Sequence, residues 1–209
     1  MKTNNLFGTL RGLTLVATLL IGTISCDNQE MEEVSAANTA QPSLEKVKSS
    51  LSKSSNAAPA PGNTPIAGIA VAAGFNELVS ALVYVDKELN AGLVNLFANG
   101  KDQYTVFAPT DEAFKNLYKA LGVDKISDLP ATLVLDVLKY HVLEGRRAAN
   151  SVVPNTGTKE ITTLLGAKFY VNTNGMIQAV GNNANIKAAN ISASNGIIHV
   201  VDAVLLPIK

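Results

Sequence analysis

The stretch Thr105-Val-Phe-Ala-Pro-Thr-Asp-Glu-Ala-Phe114 encodes a strand and the start of a helix within ten residues. Its β-branched and aromatic residues are typical of a strand, which Pro109 ends because proline has no amide hydrogen to donate to a sheet. Thr110 is suited to cap the following helix, whose first turn carries two acidic residues. The stretch therefore predicts a strand-to-helix turn, with Phe107 and Phe114 as core anchors.

Helical periodicity dominates the sequence around this stretch. Apolar residues recur at helical spacing from Phe75 to Leu82, and again over a helix from about Pro130 to Tyr140. Shorter helices are predicted at 66–73 and 93–98. We expect the second of these to end at Asn99-Gly100, with the glycine in the left-handed conformation.

Strand-like patterns follow in the C-terminal third of the chain. Strands at 168–172 and 176–180 flank Thr173-Asn174-Gly175, a sequence typical of a hairpin turn, and a further strand is expected at 185–191. Asn195-Gly196 then leads into the mostly apolar run 197–206, which predicts a strand buried on both faces. Because helices come first and strands later, the pattern predicts an α+β fold with segregated layers.

The composition argues against several classes of function. With 17 basic and 17 acidic side chains, the chain has no basic excess for nucleic-acid binding. Its two histidines cannot form a three-histidine zinc site, and a lone cysteine cannot form a cysteine metal site. Neither a glycine-rich phosphate loop nor a nucleophile-base signature occurs. We therefore expect no metal, no cofactor and no enzymatic activity. A hydrolase with dispersed catalytic residues is kept as a third hypothesis, after the two binding functions described below.

The N-terminus resembles a bacterial lipoprotein signal peptide spanning residues 1–25. A basic segment with Lys2 and Arg11 precedes an apolar core from Leu13 to Ile24, which is too short to span a bilayer as a helix. Small residues then precede Cys26, the only cysteine of the chain. In such signals cleavage occurs before the cysteine, which then carries fatty acyl chains such as palmitate. The alternatives are an ordinary secretory signal and a short membrane anchor.

Residues 26–64 are predicted to form the lipidated cysteine and a flexible tether. Ala, Ser, Asn, Pro and Lys predominate from 35 to 64, and such a segment buries too little apolar surface to offset its ordering entropy. The acidic cluster between Asp27 and Glu33 resembles surface-export signals of some Gram-negative lipoproteins, but it is also consistent with solubilising charge. These features predict an envelope lipoprotein of the outer membrane, exposed at the cell surface, with one folded domain at 65–209.

Three motifs in this domain resemble the fasciclin-type adhesion domain. The stretch 105–114 is similar to the first signature box of that family, and Asn195-Gly-Ile-Ile-His-Val-Val-Asp-Ala-Val-Leu205 is similar to the second. Tyr140-His141 matches the family's central Tyr-His pair. The resemblance implies an α+β fold, a β-sandwich or wedge with helices packed around it, in a surface protein that mediates adhesion.

The residues of these motifs have a structural interpretation of their own. Within the two boxes they are expected to support folding, with Gly196 allowing a tight turn: Thr105, Phe107, Ala108, Pro109, Thr110, Asp111, Phe114, Asn195, Gly196, His199, Val200, Asp202 and Leu205. Tyr140 and His141 form a candidate recognition region by resemblance, but the apolar stripe that His141 continues favours a buried neutral imidazole. A His199-Asp202 catalytic pair is disfavoured because the two side chains should lie on opposite faces of a strand.

The sequence also departs from the animal members of the family. It has no Arg-Gly-Asp, and the Asp-Ile pair that precedes the second box in those members is replaced by Asn190-Ile191, so integrin recognition is not expected. Two functions remain as hypotheses. One is a membrane-tethered module that binds a glycan, matrix component or protein without catalysis. The alternative is a carrier that binds a small molecule or lipid in an apolar cleft.

Overall fold

Residues 59–208 are described by a computed structural model, in which helices cover one face of a mixed sheet. The helices are α1 (Ile66–Ala72), α2 (Asn76–Leu89), α3 (Leu93–Asn99), α4 (Asp111–Leu121), α5 (Ala131–Tyr140) and α6 (Ala149–Val152), with a 3₁₀ turn at Ile126–Asp128. The strands are β1 (Tyr104–Pro109), β2 (Val142–Glu144), β3 (Thr158–Thr162), β4 (Lys168–Asn172), β5 (Met176–Gln178), β6 (Asn183–Ala193) and β7 (Gly196–Val201). The predicted signal peptide, Cys26 and most of the predicted tether lie outside the described residues.

The seven strands form one hydrogen-bonded series in the order β2-β1-β7-β6-β5-β4-β3. All neighbours are antiparallel except β1 and β7, which run parallel at the centre of the helix-covered half. The long strand β6 pairs with β7 along one part and with β5 along another, and it contains two register shifts. Such irregularities bend a strand and increase its twist, so the sheet changes direction along β6.

The bend brings the two ends of the sheet face to face. The ring of Phe107 on β1 meets that of Phe169 on β4 at 5.3 Å and nearly perpendicular, although three strands separate β1 from β4 in the sheet order. The buried residues between the two ends of the sheet form what we call the wedge core. They are Phe107, Tyr140, Leu143, Val152, Ile161, Phe169, Val171, Ile177, Ala184, Val201 and Leu205. The sheet is therefore a wedge, and the prediction of a single α+β domain with helices packed around it is confirmed.

A second core lies on the opposite face of β1 and β7, beneath helices α1 to α5, and we call it the helical-layer core. Its larger buried residues are Ile66, Phe75, Leu78, Leu82, Val85, Leu93, Phe97, Val106, Phe114, Tyr118, Ile126, Val134, Leu138, Val142, Ile198, Val200 and Val204. The alternation of side chains along each strand divides the two strands between the cores. On β1, Val106 packs into the helical layer and Phe107 into the wedge. On β7, Val200 and Val201 divide in the same way, and all six residues of that strand are buried. The predicted burial of this strand on both faces is confirmed.

Several local predictions need correction. The strand β1 includes Pro109 rather than ending before it, and β7 ends at Val201 rather than continuing to Leu206. Gly100 has φ −62° and not a left-handed conformation. Its requirement is steric, because a Cβ there would lie 2.2 Å from the carbonyl oxygen of Leu96. The hairpin between β4 and β5 is confirmed.

The chain enters the folded domain through an irregular segment, residues 59–64, which we call the strap. Its backbone is hydrogen-bonded to the turn between β6 and β7, from Gly62 N to Ala193 O and from Ser194 N to Thr64 O. Arg146 completes the attachment by donating to the carbonyl oxygens of Pro59, Ala60, Ala193 and Gly196 and to Ser192 Oγ. Part of the segment that the sequence places in the tether is therefore held against the domain.

Candidate functional site

The two signature boxes lie side by side at the centre of the sheet. Strand β1, from the first box, pairs in parallel with β7, from the second, through six consecutive residue pairs from Tyr104↔Gly196 to Pro109↔Val201. The sequence separates these boxes by about 80 residues, yet the fold places them in direct backbone contact. The motifs therefore form one structural unit, which supplies side chains to both cores.

The end of the first box begins two helices. Thr110 Oγ1 accepts a hydrogen bond from Ala113 N and caps α4, as the sequence predicts. The carboxylate of Asp111 accepts hydrogen bonds from Glu77 N at 2.9 Å and Asn76 Nδ2 at 3.0 Å, at the first turn of α2. Both carboxylate oxygens of Asp111 are therefore occupied in joining α4 to α2, which is a structural role.

The start of the second box is fixed by buried contacts. Asn195 Oδ1 accepts a hydrogen bond from Ile66 N, and Asn195 Nδ2 donates to Phe97 O, so this amide joins β7 to α1 and α3. Gly196 closes the two-residue turn between β6 and β7, where it pairs with Ala193, but it is not among the glycines with positive φ. Gly196 is the first residue of β7, and a Cβ there would lie 2.1 Å from Tyr104 O, so close packing of β1 requires the glycine.

Both residues of the Tyr-His pair are buried at the end of α5. Tyr140 is fully buried in the wedge core, where its hydroxyl donates to Lys168 O at 2.8 Å. His141 is 3% exposed. Its Nδ1 lies 2.7 Å from Val137 O, and its Nε2 accepts a hydrogen bond from Leu205 N at 2.8 Å. Nδ1 therefore carries the proton of a neutral ring. Burial lowers the pKa of His141 to about 4.

His199 in the second box has an equivalent arrangement with the opposite tautomer. It is fully buried, its Nδ1 accepts from Asn190 N at 3.3 Å, and its Nε2 donates to Arg147 O at 3.0 Å. Burial lowers the pKa of His199 to about 4. Asn190 has a positive φ of 63° at a register shift of β6, and its Oδ1 accepts from Ala149 N. The Asn190-Ile191 position is thus part of a partly buried hydrogen-bond network.

Asp202 does not contact His199. Its carboxylate accepts hydrogen bonds from Asn185 N and Nδ2 and pairs with Lys187 Nζ at 3.0 Å. Partial burial raises the pKa of Asp202, but the contacts from Asn185 and Lys187 outweigh it, and the net pKa is lowered. Histidine and carboxylate have separate partners, as the sequence-based interpretation expects, and this pair lacks the contact that acid-base chemistry requires.

Two apolar cavities in the helical layer are candidate binding features, at positions that the hypothesis of an apolar cleft left open. Cavity 1, of about 110 Å³, lies among α1, α2, α3 and α5. Cavity 2, of about 170 Å³, lies among α2, α4, α5 and the C-terminal segment. They share the wall residues Leu78, Leu138 and His141. Helical periodicity predicts which residues face inward but not how closely helices pack, so no sequence signal indicates these cavities.

Arg146 is the other residue that the sequence analysis missed. Its guanidinium is partly buried and is satisfied by main-chain carbonyl oxygens, and this burial lowers its pKa. Among residues 59–208, no group of three or more His, Cys, Asp or Glu side chains is arranged to hold a metal ion. Within the same range, no helix is long and apolar enough to cross a bilayer.

Comparison with known proteins identifies the family. The model of the fasciclin domain matches residues 73–207. Immunogenic protein MPB70 of Mycobacterium bovis is 36% identical over 142 residues, which cover 66% of this chain and 68% of that protein. Cell surface glycolipoprotein MPB83 of the same species is 32% identical, with 66% and 60% covered. A structure of a FAS1 domain pair from the insect cell adhesion molecule Fasciclin I aligns with a TM-score of 0.48 and 17% identity, covering 68% of this chain and 51% of that one. The chain therefore belongs to the fasciclin domain family, and the matched region contains both signature boxes and the Tyr-His pair.

Proposed function

We propose that this protein is a membrane-tethered, extracytoplasmic interaction module that binds a protein, glycan or matrix component without catalysis. It is held in the cell envelope by acyl chains on Cys26, in the outer membrane and exposed at the cell surface. The folded domain supplies the binding surface, and the predicted tether gives it freedom to reach a partner.

The observation that carries the proposal is that the polar side chains of the family motifs are hydrogen-bonded within the protein itself. His141 and His199 each use both ring nitrogens in hydrogen bonds to the backbone, and the carboxylates of Asp111 and Asp202 each accept at least two hydrogen bonds. All four ring nitrogens are used by the protein itself, and the carboxylates, which keep further lone pairs, are fixed in place by protein donors. The family motifs therefore serve folding, and binding is assigned to the surface around them.

The N-terminal sequence and one relative support the tethered location. Lys2, Arg11, the short apolar core and Cys26 have the order of a lipoprotein signal. The relative MPB83 is by name a cell surface glycolipoprotein, and it shares the same domain. The predicted tether would hold the domain on the order of 35 Å from the bilayer, given roughly 5–6 Å times the square root of its length.

Metabolic labelling with a palmitate analogue tests the anchor. We expect wild-type protein to take up the label and to fractionate with membranes, whereas Cys26→Ala should lose both properties, because several acyl chains are needed for stable anchoring. Ser54→Ala, in the predicted tether, is the matched control and should behave as wild type. Label retained by the Cys26→Ala protein would contradict the proposal.

Surface crosslinking tests the binding function. The full chain, carrying a photoreactive crosslinker, is incubated with envelopes that are untreated, protease-treated or periodate-treated. Loss of crosslinking after protease indicates a protein partner, and loss after periodate indicates a glycan. Absence of any saturable crosslinking to untreated envelopes would refute an interaction module.

A small-molecule or lipid carrier is the second candidate. The observation that favours it is the pair of apolar cavities, since ligand sites are mostly apolar. At about 110 and 170 Å³ they are smaller than the roughly 300–1,000 Å³ of ordinary ligand pockets, so this candidate ranks second. Native mass spectrometry of the purified chain distinguishes the two, because a carrier should retain a bound molecule of defined mass.

A further inference from the structure

Cavity 1 has a lining that can satisfy no polar ligand group in its interior. Its walls are aliphatic and aromatic side chains, apart from Lys139 and His141, and almost no polar surface faces the interior, so Lys139 lines it with its aliphatic stem. His141 offers nothing to a ligand because Val137 and Leu205 already occupy its two ring nitrogens. A polar group placed there would lose its hydrogen bonds to water without replacement, so whatever enters must be hydrocarbon.

The opening of cavity 1 is surrounded by exposed valines from three helices. Val71 of α1 is 65% exposed, Val83 of α2 is 51% exposed and Val94 of α3 is 37% exposed, and all three line the cavity. Helices α1 and α3 contain no charged residue. Single exposed apolar residues are ordinary, but a group around one cavity, on uncharged helices, is typical of an interaction surface.

The size of cavity 1 limits what it can accept. About 110 Å³ is less than the roughly 150 Å³ of an apolar cavity that binds benzene. A long acyl chain does not fit in this volume, whereas one aliphatic side chain does. Protein interfaces commonly concentrate their affinity in such an anchor side chain, inserted into a pocket near the centre of the contact.

The positive charge of Lys139 beside cavity 1 indicates which group of the partner lies next to the anchor side chain. Lys139, in the last turn of α5, is half-buried in the lining of cavity 1. None of the ion pairs among residues 59–208 involves it. The carboxylate of Asp86, near the rim, is occupied by the amides of Leu93 and Val94. A carboxylate on the partner would therefore meet an ammonium group that forms no ion pair within residues 59–208.

We infer that cavity 1 is the docking point of a protein partner, which inserts one leucine-sized aliphatic side chain and places a carboxylate beside Lys139. This inference rests on the proposed function, because it specifies the class of partner that the interaction module binds and where that partner docks. Val71, Val83 and Val94 form the surrounding contact surface and exclude water from the anchor.

Methyl NMR of the full chain, with three small probes, tests the anchor and its charge. N-acetyl-leucine carries an isobutyl group and a carboxylate, N-acetyl-leucinamide lacks the charge, and N-acetylglycine lacks the anchor. We expect N-acetyl-leucine to shift the methyl signals of the three rim valines saturably. The amide should bind up to about fivefold more weakly, which is the range for a partly exposed ion pair, and N-acetylglycine should not bind there.

Substitutions at the rim give the matched comparison. Val83→Gln should abolish the saturable shifts, whereas Val180→Gln, at a 42% exposed valine outside the cavity, should leave them unchanged. Lys139→Gln should remove the preference for N-acetyl-leucine over its amide. Saturable shifts that survive Val83→Gln would overturn the inference. Binding that strengthens with each carbon along a fatty-acid series from hexanoate to dodecanoate would also overturn it, in favour of an acyl carrier.

Crosslinking to envelopes separates this inference from the proposed function. If the partner docks at cavity 1, crosslinking should be sensitive to protease and should be lost in the Val83→Gln protein but not in the Val180→Gln protein. Protease-sensitive crosslinking by wild type and both variants would refute docking at cavity 1 and leave the interaction module intact. If wild type itself does not crosslink, the proposed function fails.

Discussion

The wedge core and the helical-layer core are formed by alternate residues of the same two strands, but they are packed differently. The wedge contains interlocking aromatic rings, with Phe169 perpendicular to both Phe107 and Tyr140 at 5.3 and 5.8 Å. The helical layer also contains two aromatic pairs, Phe97 with Tyr104 and Phe114 with Tyr118, but it encloses two apolar cavities. We therefore expect the wedge core to contribute most to stability and the helical layer to have space for a ligand group.

The largest expected effect is the removal of an aromatic ring from the wedge. Phe107→Ala should lower the free energy of unfolding by about 3–5 kcal/mol, because a fully buried ring in contact with Phe169 leaves a cavity that the sheet cannot close. Tyr170→Ala, at a 44% exposed ring on the same strand as Phe169, is the control and should change stability far less. Chemical denaturation of the purified chain measures both. A folded Phe107→Ala protein of near wild-type stability would remove the distinction between the cores.

The next effect is a loss of stability in acid, to which each core contributes one histidine. His199 packs against Phe107 in the wedge, and His141 lies at the wall between the two cavities. Each has a folded pKa of about 4 against an unfolded value of about 6.5, so the unfolded state takes up the proton first. The contribution of these two histidines to stability is therefore present above about pH 6.5 and is lost as the pH falls from there towards pH 4. At pH 5 each histidine should cost about 2 kcal/mol.

Melting temperatures of single variants between pH 7 and pH 5 measure these contributions. His141→Asn and His199→Asn should each lower stability at pH 7, and each should remove about half of the acid-dependent loss. A pH dependence that is unchanged in the His141→Asn protein would mean that His141 is not a buried neutral ring. If that variant also kept its stability but lost envelope binding, Tyr140-His141 would be a recognition site.

The smallest expected effect compares added volume in the two cores. Ala184→Leu places three extra carbon atoms in the wedge at a position 1% exposed, and it should cost about 1–3 kcal/mol through overpacking. Ala67→Leu adds the same atoms to the lining of cavity 1, where space exists, and stability should change by less than about 1 kcal/mol. Differential scanning calorimetry compares the pair. Equal losses would show that the helical layer is as tightly packed as the wedge.

The elements that the sequence predicted are those set by local chemistry. The hairpin at Asn174-Gly175, the Thr110 cap, the burial of β7 on both faces and the core positions of Phe107 and Phe114 all follow from period and propensity, and the structure agrees. Burial of the two histidines followed from their apolar neighbours. These features need no knowledge of distant contacts.

The features that the sequence did not predict depend on approach between distant segments. Gly100 and Gly196 are required by carbonyl oxygens at 2.2 and 2.1 Å from their absent Cβ positions, and neither is needed for a turn conformation. Arg146 collects carbonyl oxygens from the strap and from the β6–β7 turn, which local pattern does not bring together. The cavities depend on the distances between helices. Each of these follows from tertiary packing, which single-sequence periodicity does not encode.

The strap gives the domain a mechanical property. In a chain held at its N-terminus, a load on the bound domain is transmitted through residues 59–64 to the hydrogen bonds at Gly62, Thr64 and Arg146. These bonds are exposed or only part-buried, so under tension they should rupture before the buried β1–β7 pairing. Release of six residues would lengthen the linkage by at most about 20 Å, at roughly 3.3 Å per residue, while both cores stay intact. The strap would thus let the connection between anchor and domain lengthen under load before the domain itself unfolds.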